Sequence, residues 1–198
     1  MEESRRVRGL DLGFDIYRNQ SSEEQALIRQ WAVDRQFEPT LLDSAEVFAA
    51  RPPKIATSHT ATDREQFDAL EDAGLLIRGS STHGSESNLL PLELPARDFF
   101  DAPRIMFTIR DDRGAIAGFA GRALGTDSPK YLFSPRFPRA STLYRWHKVR
   151  NSPRTNLGGQ GSVAHVFVVE GLMDALRLES VGLDAIAVLG SSLTNSQV

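Results

Sequence analysis

The 198-residue chain is 40% hydrophobic and 25% charged, with a net charge of −3, a balance that suits a soluble globular protein long enough to bury a core. It contains no cysteine, which excludes disulfides, cysteine-ligated zinc and thiol nucleophiles. No apolar run approaches the roughly 20 residues that span a bilayer and no signal-peptide pattern opens the chain, so the expectation is a cytoplasmic protein with no membrane partner.

Residues 1 to 20 show no clear periodicity and read as an extended or partly ordered lead. Ser22-Glu-Glu-Gln25 has the form of a capping box, and Leu27, Ile28, Trp31 and Ala32 follow at helical spacing, which predicts a helix to about Asp34. A second helix is expected from Pro39 to Ala50, with Leu41, Leu42, Ala45 and Phe48 on one face, ended by Pro52-Pro53. Thr62-Asp-Arg-Glu65 is another capping box, and Gly74 is placed to cap that helix at its carboxyl end. These helices carry no chemistry. The loop from Ser80 to Asn88 holds His83, which reads as a solvated residue. Pro91 to Pro103 reads as an acidic surface connection.

Arg104 to Arg110 alternates, with Ile105, Phe107 and Ile109 on one side. Asp111-Asp-Arg-Gly114 is a turn and Ala115 to Arg122 returns, which predicts a β-hairpin. Gly118 and Gly121 on the return strand suggest a bulge or a close approach by another backbone or a ligand. From Arg104 to Arg154 eleven Lys/Arg stand against three Asp/Glu, a local balance of +8, while the remainder carries −11. One basic segment in a mildly acidic chain suggests a local polyanion contact. Tyr131, Phe133, Tyr144 and Trp146 interleave with those cations, a composition that suits single-stranded nucleic acid or nucleotides. Tyr131, Arg139 and Arg145 are candidate contacts within it, against the alternative of a solvated basic loop with core aromatics.

Asn151 to Gly161 reads as a linker. Val166-Phe-Val-Val-Glu-Gly-Leu-Met-Asp174 then gives a buried strand, a glycine turn and the start of a helix running to Ser180. Ala185 to Leu189 is a second buried strand, so the unit is βαβ and implies a parallel sheet. Glu170 falls at the carboxyl end of the first strand, where open α/β sheets place ligands. Asp174 falls in the first turn of the helix. Two carboxylates there suit a hard divalent cation; an ordinary strand–turn–helix is the alternative.

Taken in order, Arg104-Ile-Met-Phe-Thr-Ile-Arg-Asp-Asp-Arg-Gly114, Gly118-Phe-Ala-Gly-Arg122, Pro129-Lys-Tyr-Leu-Phe-Ser-Pro135, Leu143-Tyr144, Val168-Val-Glu-Gly-Leu-Met-Asp174 and Ala187-Val-Leu-Gly-Ser191 resemble the catalytic core of the bacterial-type, DnaG-like DNA primases. The likeness extends more weakly upstream to about residue 20. It implies an α/β fold: an α+β amino-terminal subdomain over residues 1–155, with a helical lead over 20–76 and the hairpin and basic segment over 104–154. A partial TOPRIM βαβ unit follows over 162–198. By resemblance, Glu170 is the TOPRIM glutamate, catalytic and a metal ligand, with Asp174 as a second ligand. Arg122 and Lys130 match basic residues of the nucleotide and template groove, and Arg139 stands where the family usually has lysine. The implied cofactor is Mg²⁺ or Mn²⁺, held incompletely because the family's later Asp-x-Asp motif would lie beyond Val198; no zinc is implied.

The function implied is RNA primer synthesis on single-stranded DNA from nucleoside triphosphates, with this chain an amino-terminal portion or one half of a split enzyme, as in a phage. A second polypeptide completing the TOPRIM domain and a replicative helicase are the implied partners. The chain alone is expected to synthesise little. The alternative is a non-catalytic module of primase ancestry that binds single-stranded DNA or a replication protein.

Overall fold

The computed structural model describes residues 2–51, 61–78, 96–125, 129–153, 165–190 and 192–197. The chain opens on a helix, α1 (Glu2–Arg18), rather than the extended lead expected from its sequence. Its buried face is Gly9, Leu10, Gly13 and Tyr17. Two of these are glycines, which carry no apolar signal and count against a helix on propensity. Packing explains them: a Cβ on Gly9 would lie 1.9 Å from the Ala69 carbonyl oxygen, and one on Gly13 would lie 2.2 Å from Leu75 Cδ1. Tyr17 is 1% exposed and sits edge-on to Phe100 and Phe119.

The second helix, α2 (Ser22–Asp34), begins one residue earlier in capping register than its sequence suggested. Ser21, not Ser22, forms the reciprocal box: Glu24 N donates to Ser21 Oγ at 3.3 Å, and Ser21 N donates to Glu24 Oε2 at 2.9 Å. Glu24 is 2% exposed and also accepts from Arg51 N. The expected helix from Pro39 to Ala50 divides. Helix α3 covers Pro39–Ser44, and strand β1 covers Val47–Ala50. Glu46 at the junction has φ 54. All four residues of β1 are buried, so the helix-like spacing of Leu42, Ala45 and Phe48 was a coincidence of two elements sharing one core.

Helix α4 (Ala61–Asp72) packs on α1. Gly74 caps it as expected: at φ 74 it lets Leu75 N reach Leu70 O and its own N reach Glu71 O, the paired bonds of a Schellman motif. Side chains 61–63, and therefore the Thr62 capping box, lie outside the described residues, as do residues 79–95 with His83. Strands β2 (Leu76–Arg78) and β3 (Ala96–Asp98) pair antiparallel.

The predicted hairpin is present as β4 (Arg104–Arg110) and β5 (Ile116–Ala123). Its turn is held by Asp111 Oδ1, which accepts from Arg113 N and Ala115 N at 2.9 Å, with Gly114 at φ 87. The first six residues of each strand are buried, because both faces are covered. Strand β6 (Tyr131–Phe133), unforeseen from sequence, completes a four-stranded sheet in the order β1-β4-β5-β6. Beyond it come a 3₁₀ turn at Arg139–Ser141 and the short helix α5 (Trp146–Val149).

The last elements are β7 (Phe167–Val169), α6 (Leu172–Ser180) and β8 (Ala185–Ala187), with β7 and β8 parallel. The βαβ reading is thus met in element order and strand sense. Its burial is not: Phe167 is 43% and Val168 51% exposed, whereas β8 is fully buried. An apolar run reports what a strand can bury, and β7 has neighbouring strand only on the β8 side among the described residues.

The chain divides into two compact units, one of residues 1–28, 47–107 and 119–136, the other of 29–46, 108–118 and 137–198. The boundary expected near residue 155 falls among residues 154–164, outside the described residues. No helix among the described residues is long and apolar enough to cross a membrane.

Candidate nucleic-acid and metal site

In the first unit the candidate residues gather on the edge formed by β5 and β6. Arg122 and Tyr131 are cross-strand partners, and the Arg122 guanidinium lies 5.8 Å from the Tyr131 ring centroid. Ala123 N donates to Lys130 O at 3.0 Å, which continues the ladder and leaves the Lys130 side chain exposed. The edge therefore presents a guanidinium, an ammonium and a half-buried aromatic ring within one stretch of paired backbone. Cations can neutralise phosphate and the ring can stack on a base.

Beneath this edge lies a residue the sequence reading did not single out. Arg104 is 3% exposed, and its Nη1 donates to Gly121 O at 3.3 Å and Pro129 O at 3.2 Å. The only sequence sign of it was the glycine on the return strand. A Cβ on Gly121 would lie 2.7 Å from Arg104 Cδ and 2.8 Å from Phe100 Cδ1. The close approach expected at Gly121 is made by the Arg104 stem and the Phe100 ring.

In the second unit the basic segment divides by role. Arg139 is exposed in the 3₁₀ turn, with its Nε directed to the Leu189 carbonyl. Arg145 does not present its charge outward. It is 3% exposed, at φ 69, and its Nε and Nη2 donate to the two Glu179 carboxylate oxygens at 2.9 and 2.6 Å. That corrects its assignment as a nucleic-acid contact: a guanidinium buried and bonded on one edge to a carboxylate is committed to holding α5 against α6. Lys148 closes on the same carboxylate. Burial by itself would raise the Glu179 pKa, but the hydrogen bonds and charges of Arg145 and Lys148 outweigh it and hold the carboxyl below its ordinary value. His147 is pushed down to about 4, first by desolvation and then by Arg145, Arg110 and Lys148, with Glu46 opposing. Glu46 itself takes a two-pronged bond from Arg110, at 2.8 and 2.7 Å.

Glu170 and Asp174 flank the turn from β7 into α6, and both are exposed. Gly171 caps the helix in extended conformation, and the Asp174 N–H returns to its carbonyl at 3.1 Å. The Asp174 carboxylate folds back over this turn: Oδ2 lies 2.7 Å from where a Gly171 Cβ would be. A side chain at 171 would displace the carboxylate from that position. Among the described residues no group of three or more acids and histidines comes together around a common point. The helix bearing Asp174 is anchored by Arg177, whose guanidinium donates to the Arg35 carbonyl and, at 3.1 Å, to Gln36 O, and lies 4.4 Å from the Phe37 ring centroid. These contacts hold α6 to the carboxyl end of α2.

Residues 16–150 match the family model described as the amino-terminal domain of the DNA primase catalytic core. The DNA primase of Pseudomonas aeruginosa is 35% identical over 144 residues, which cover 71% of this chain and 19% of that protein. The DNA primase of Escherichia coli is 38% identical over 99 residues, 48% of this chain and 16% of that protein. The chain thus spans about a fifth of the length of these relatives. A DnaG primase catalytic domain bound to single-stranded DNA superposes with a TM-score of 0.75 at 27% identity, covering 99% of this chain and 59% of that one. The Escherichia coli primase catalytic core gives 0.71 at 28% identity, with 96% and 56% covered.

Proposed function

Since the chain belongs to the family of DNA primase catalytic core amino-terminal domains, we propose that it serves as the amino-terminal portion of a DNA primase, binding single-stranded DNA template and nucleoside triphosphates during RNA primer synthesis. The observation that carries this is the β5–β6 edge, where Arg122, Lys130 and Tyr131 combine phosphate-pairing cations with a stacking ring. Arg139 adds an exposed cation of the second unit. Support also comes from the relative of like fold that is bound to single-stranded DNA.

Residues 162–198 are the beginning of a TOPRIM domain on this reading. Glu170 and Asp174 are hard oxygen donors on either side of one turn, and the Asp174 carboxylate lies over Gly171 between them. They suit Mg²⁺ or Mn²⁺, which when bound would neutralise charge in nucleotidyl transfer. The chain's own part is to hold those two oxygens at the carboxyl end of β7. Further acids, from a longer polypeptide or a second one, complete the site, and a replicative helicase is the natural partner of such an enzyme. The setting is the cytoplasm, of a bacterium or a phage-infected cell.

The test is binding of the 198-residue chain to a fluorescent single-stranded oligonucleotide across a salt series. Affinity should fall linearly on logarithmic axes, with a slope of about −0.7 per neutralised phosphate. Arg122→Ala and Lys130→Ala should each weaken binding and flatten that slope. Unchanged affinity in both variants refutes the reading. Binding without primer synthesis in the presence of Mg²⁺ and nucleoside triphosphates identifies the chain as a binding portion that needs the remaining acids.

A further inference from the structure

We infer that Arg104 is a positioning residue for the cationic edge of β5 and β6, an inference that rests on the reading that Arg122 and Lys130 meet a nucleic-acid backbone. Arg104 is too deeply buried to offer its own charge to a phosphate, being 3% exposed. A guanidinium at that depth is costly unless its donors are satisfied. Its Nη1 spans two carbonyls, Gly121 O and Pro129 O, at 3.3 and 3.2 Å. Each carbonyl belongs to the residue immediately before one of the two candidate cations, the half-buried Arg122 and the exposed Lys130. A single nitrogen therefore ties together the two peptide units that aim both cations. The ladder bond from Ala123 N to Lys130 O fixes the next pair outward.

Two further observations show that the arrangement is built rather than incidental. Gly121 is the one residue type that admits the Arg104 stem, since a Cβ would lie 2.7 Å from Arg104 Cδ. The Phe100 ring closes the other side of the same glycine. Arg104 Nε has no hydrogen-bond partner among the described residues, a cost that stands against the two bonds made by Nη1. An apolar residue would fill this volume without an unsatisfied nitrogen; arginine is required for the span. Lysine cannot reproduce it, because its ammonium is one compact donor on a flexible stem rather than a rigid planar fork. Placement errors of about 1 Å are enough to weaken paired phosphate contacts.

The experiment compares Arg104→Met and Arg104→Lys with the parent chain in the same oligonucleotide titration, with thermal unfolding followed by circular dichroism as the check on folding. Folded Arg104→Met should bind about 5- to 10-fold more weakly, the loss expected when two charge-assisted contacts are misplaced rather than removed. On a background of Arg122→Ala with Lys130→Ala, the same substitution should cost less than about twofold, because residues acting through one another are not additive. Arg104→Lys should fall between methionine and arginine, a partial rescue that general destabilisation does not give. A folded Arg104→Met that binds as the parent does, or whose loss multiplies in full on the double-alanine background, overturns the inference. If Arg104→Met does not fold, Arg104→Lys decides: weaker binding upholds the inference and parental binding overturns it. If Arg122→Ala and Lys130→Ala leave binding unchanged, the nucleic-acid reading itself has failed. The positioning claim is then judged by amide hydrogen exchange at Arg122 and Tyr131–Phe133, where faster exchange in Arg104→Met upholds it and unchanged exchange overturns it.

Discussion

Replacing Arg145 by methionine separates the two roles its place in the basic segment invites. The pair it forms with Glu179 has side-chain exposures of 4% and 14%, with both carboxylate oxygens bonded, at 2.9 and 2.6 Å. Removing one member of a buried pair costs about 3–5 kcal/mol because the other charge is left behind. Here Glu179 keeps Lys148, whose side chain is 48% exposed and so offsets little, about 0.5 kcal/mol by the measure of exposed pairs. The loss should therefore fall near 3 kcal/mol at pH 7, read from urea denaturation followed by far-ultraviolet circular dichroism, or about 6–12 °C in Tm for a chain of this length. Adding Glu179→Leu should recover most of it, since apolar replacement of a whole buried pair is close to neutral. Single-stranded DNA affinity, measured where the variant is folded, should hold to within about twofold, with an unchanged salt slope. A variant with parental stability but weaker binding, and a salt slope shallower by about 0.7, would refute the structural assignment and restore Arg145 as a phosphate contact.

The other expectations concern the α1 packing and the acid response. Gly9→Ala gains about 1 kcal/mol of helix propensity but drives a methyl group to within 1.9 Å of the Ala69 carbonyl; a net loss of about 2 kcal/mol in urea denaturation is expected, and a stabilised variant would show that α1 does not pack on α4 this closely. His147 has a folded pKa of about 4 against an ordinary 6.5, so the unfolded chain binds the extra proton between those values and stability should fall as pH drops from 6.5 toward 4. Glu179, also depressed, adds to the loss at the lower end, where the carboxyl protonates. His147→Phe should flatten the upper part of that profile; an identical profile in the variant would show that His147 is not the titrating group.

What could be read from the sequence was what local chemistry determines. The hairpin from Arg104 to Ala123 and the helix from Leu172 to Ser180 carry strong turn and periodicity signals, and they form where expected. Gly74 announced its cap because a left-handed residue after a helix has few substitutes. The failures have one physical source, in that tertiary contact overrode local preference. Gly9 and Gly13 are buried by close helix approach, which makes glycine the necessary residue where propensity forbids it. Val47 to Ala50 joins β4 because pairing with Arg104 to Phe107 buries all four residues, a long-range gain invisible in a window of sequence. For the candidate site, residue type marked Arg122, Lys130, Glu170 and Asp174 as chemically apt, but type alone could not separate an arginine that faces outward from one that is consumed internally. Arg145 and Arg104 both belong to the internal class, and each differs from Arg122 in its partners rather than its neighbours in sequence.

That distinction also bears on the acids at 170 and 174. Glu170 follows a strand whose own residues are substantially exposed, so β7 by itself is a poor platform for a metal ligand. Helix α6 is better held: Arg177 ties it to the carboxyl end of α2, and Glu179 ties it to Arg145 and Lys148. Leu172, Ala175 and Leu176 bury its inner face. Asp174 stands on this anchored helix, and its carboxylate is turned back toward the Gly171 turn. The helix that carries Asp174 is thus placed by residues between 35 and 179, and the carboxylate itself lies over the Gly171 turn of the Glu-Gly-Leu-Met-Asp motif. On the proposed metal reading, Asp174 is therefore the carboxylate carried by a well-supported element, which is the kind of backing a metal centre requires.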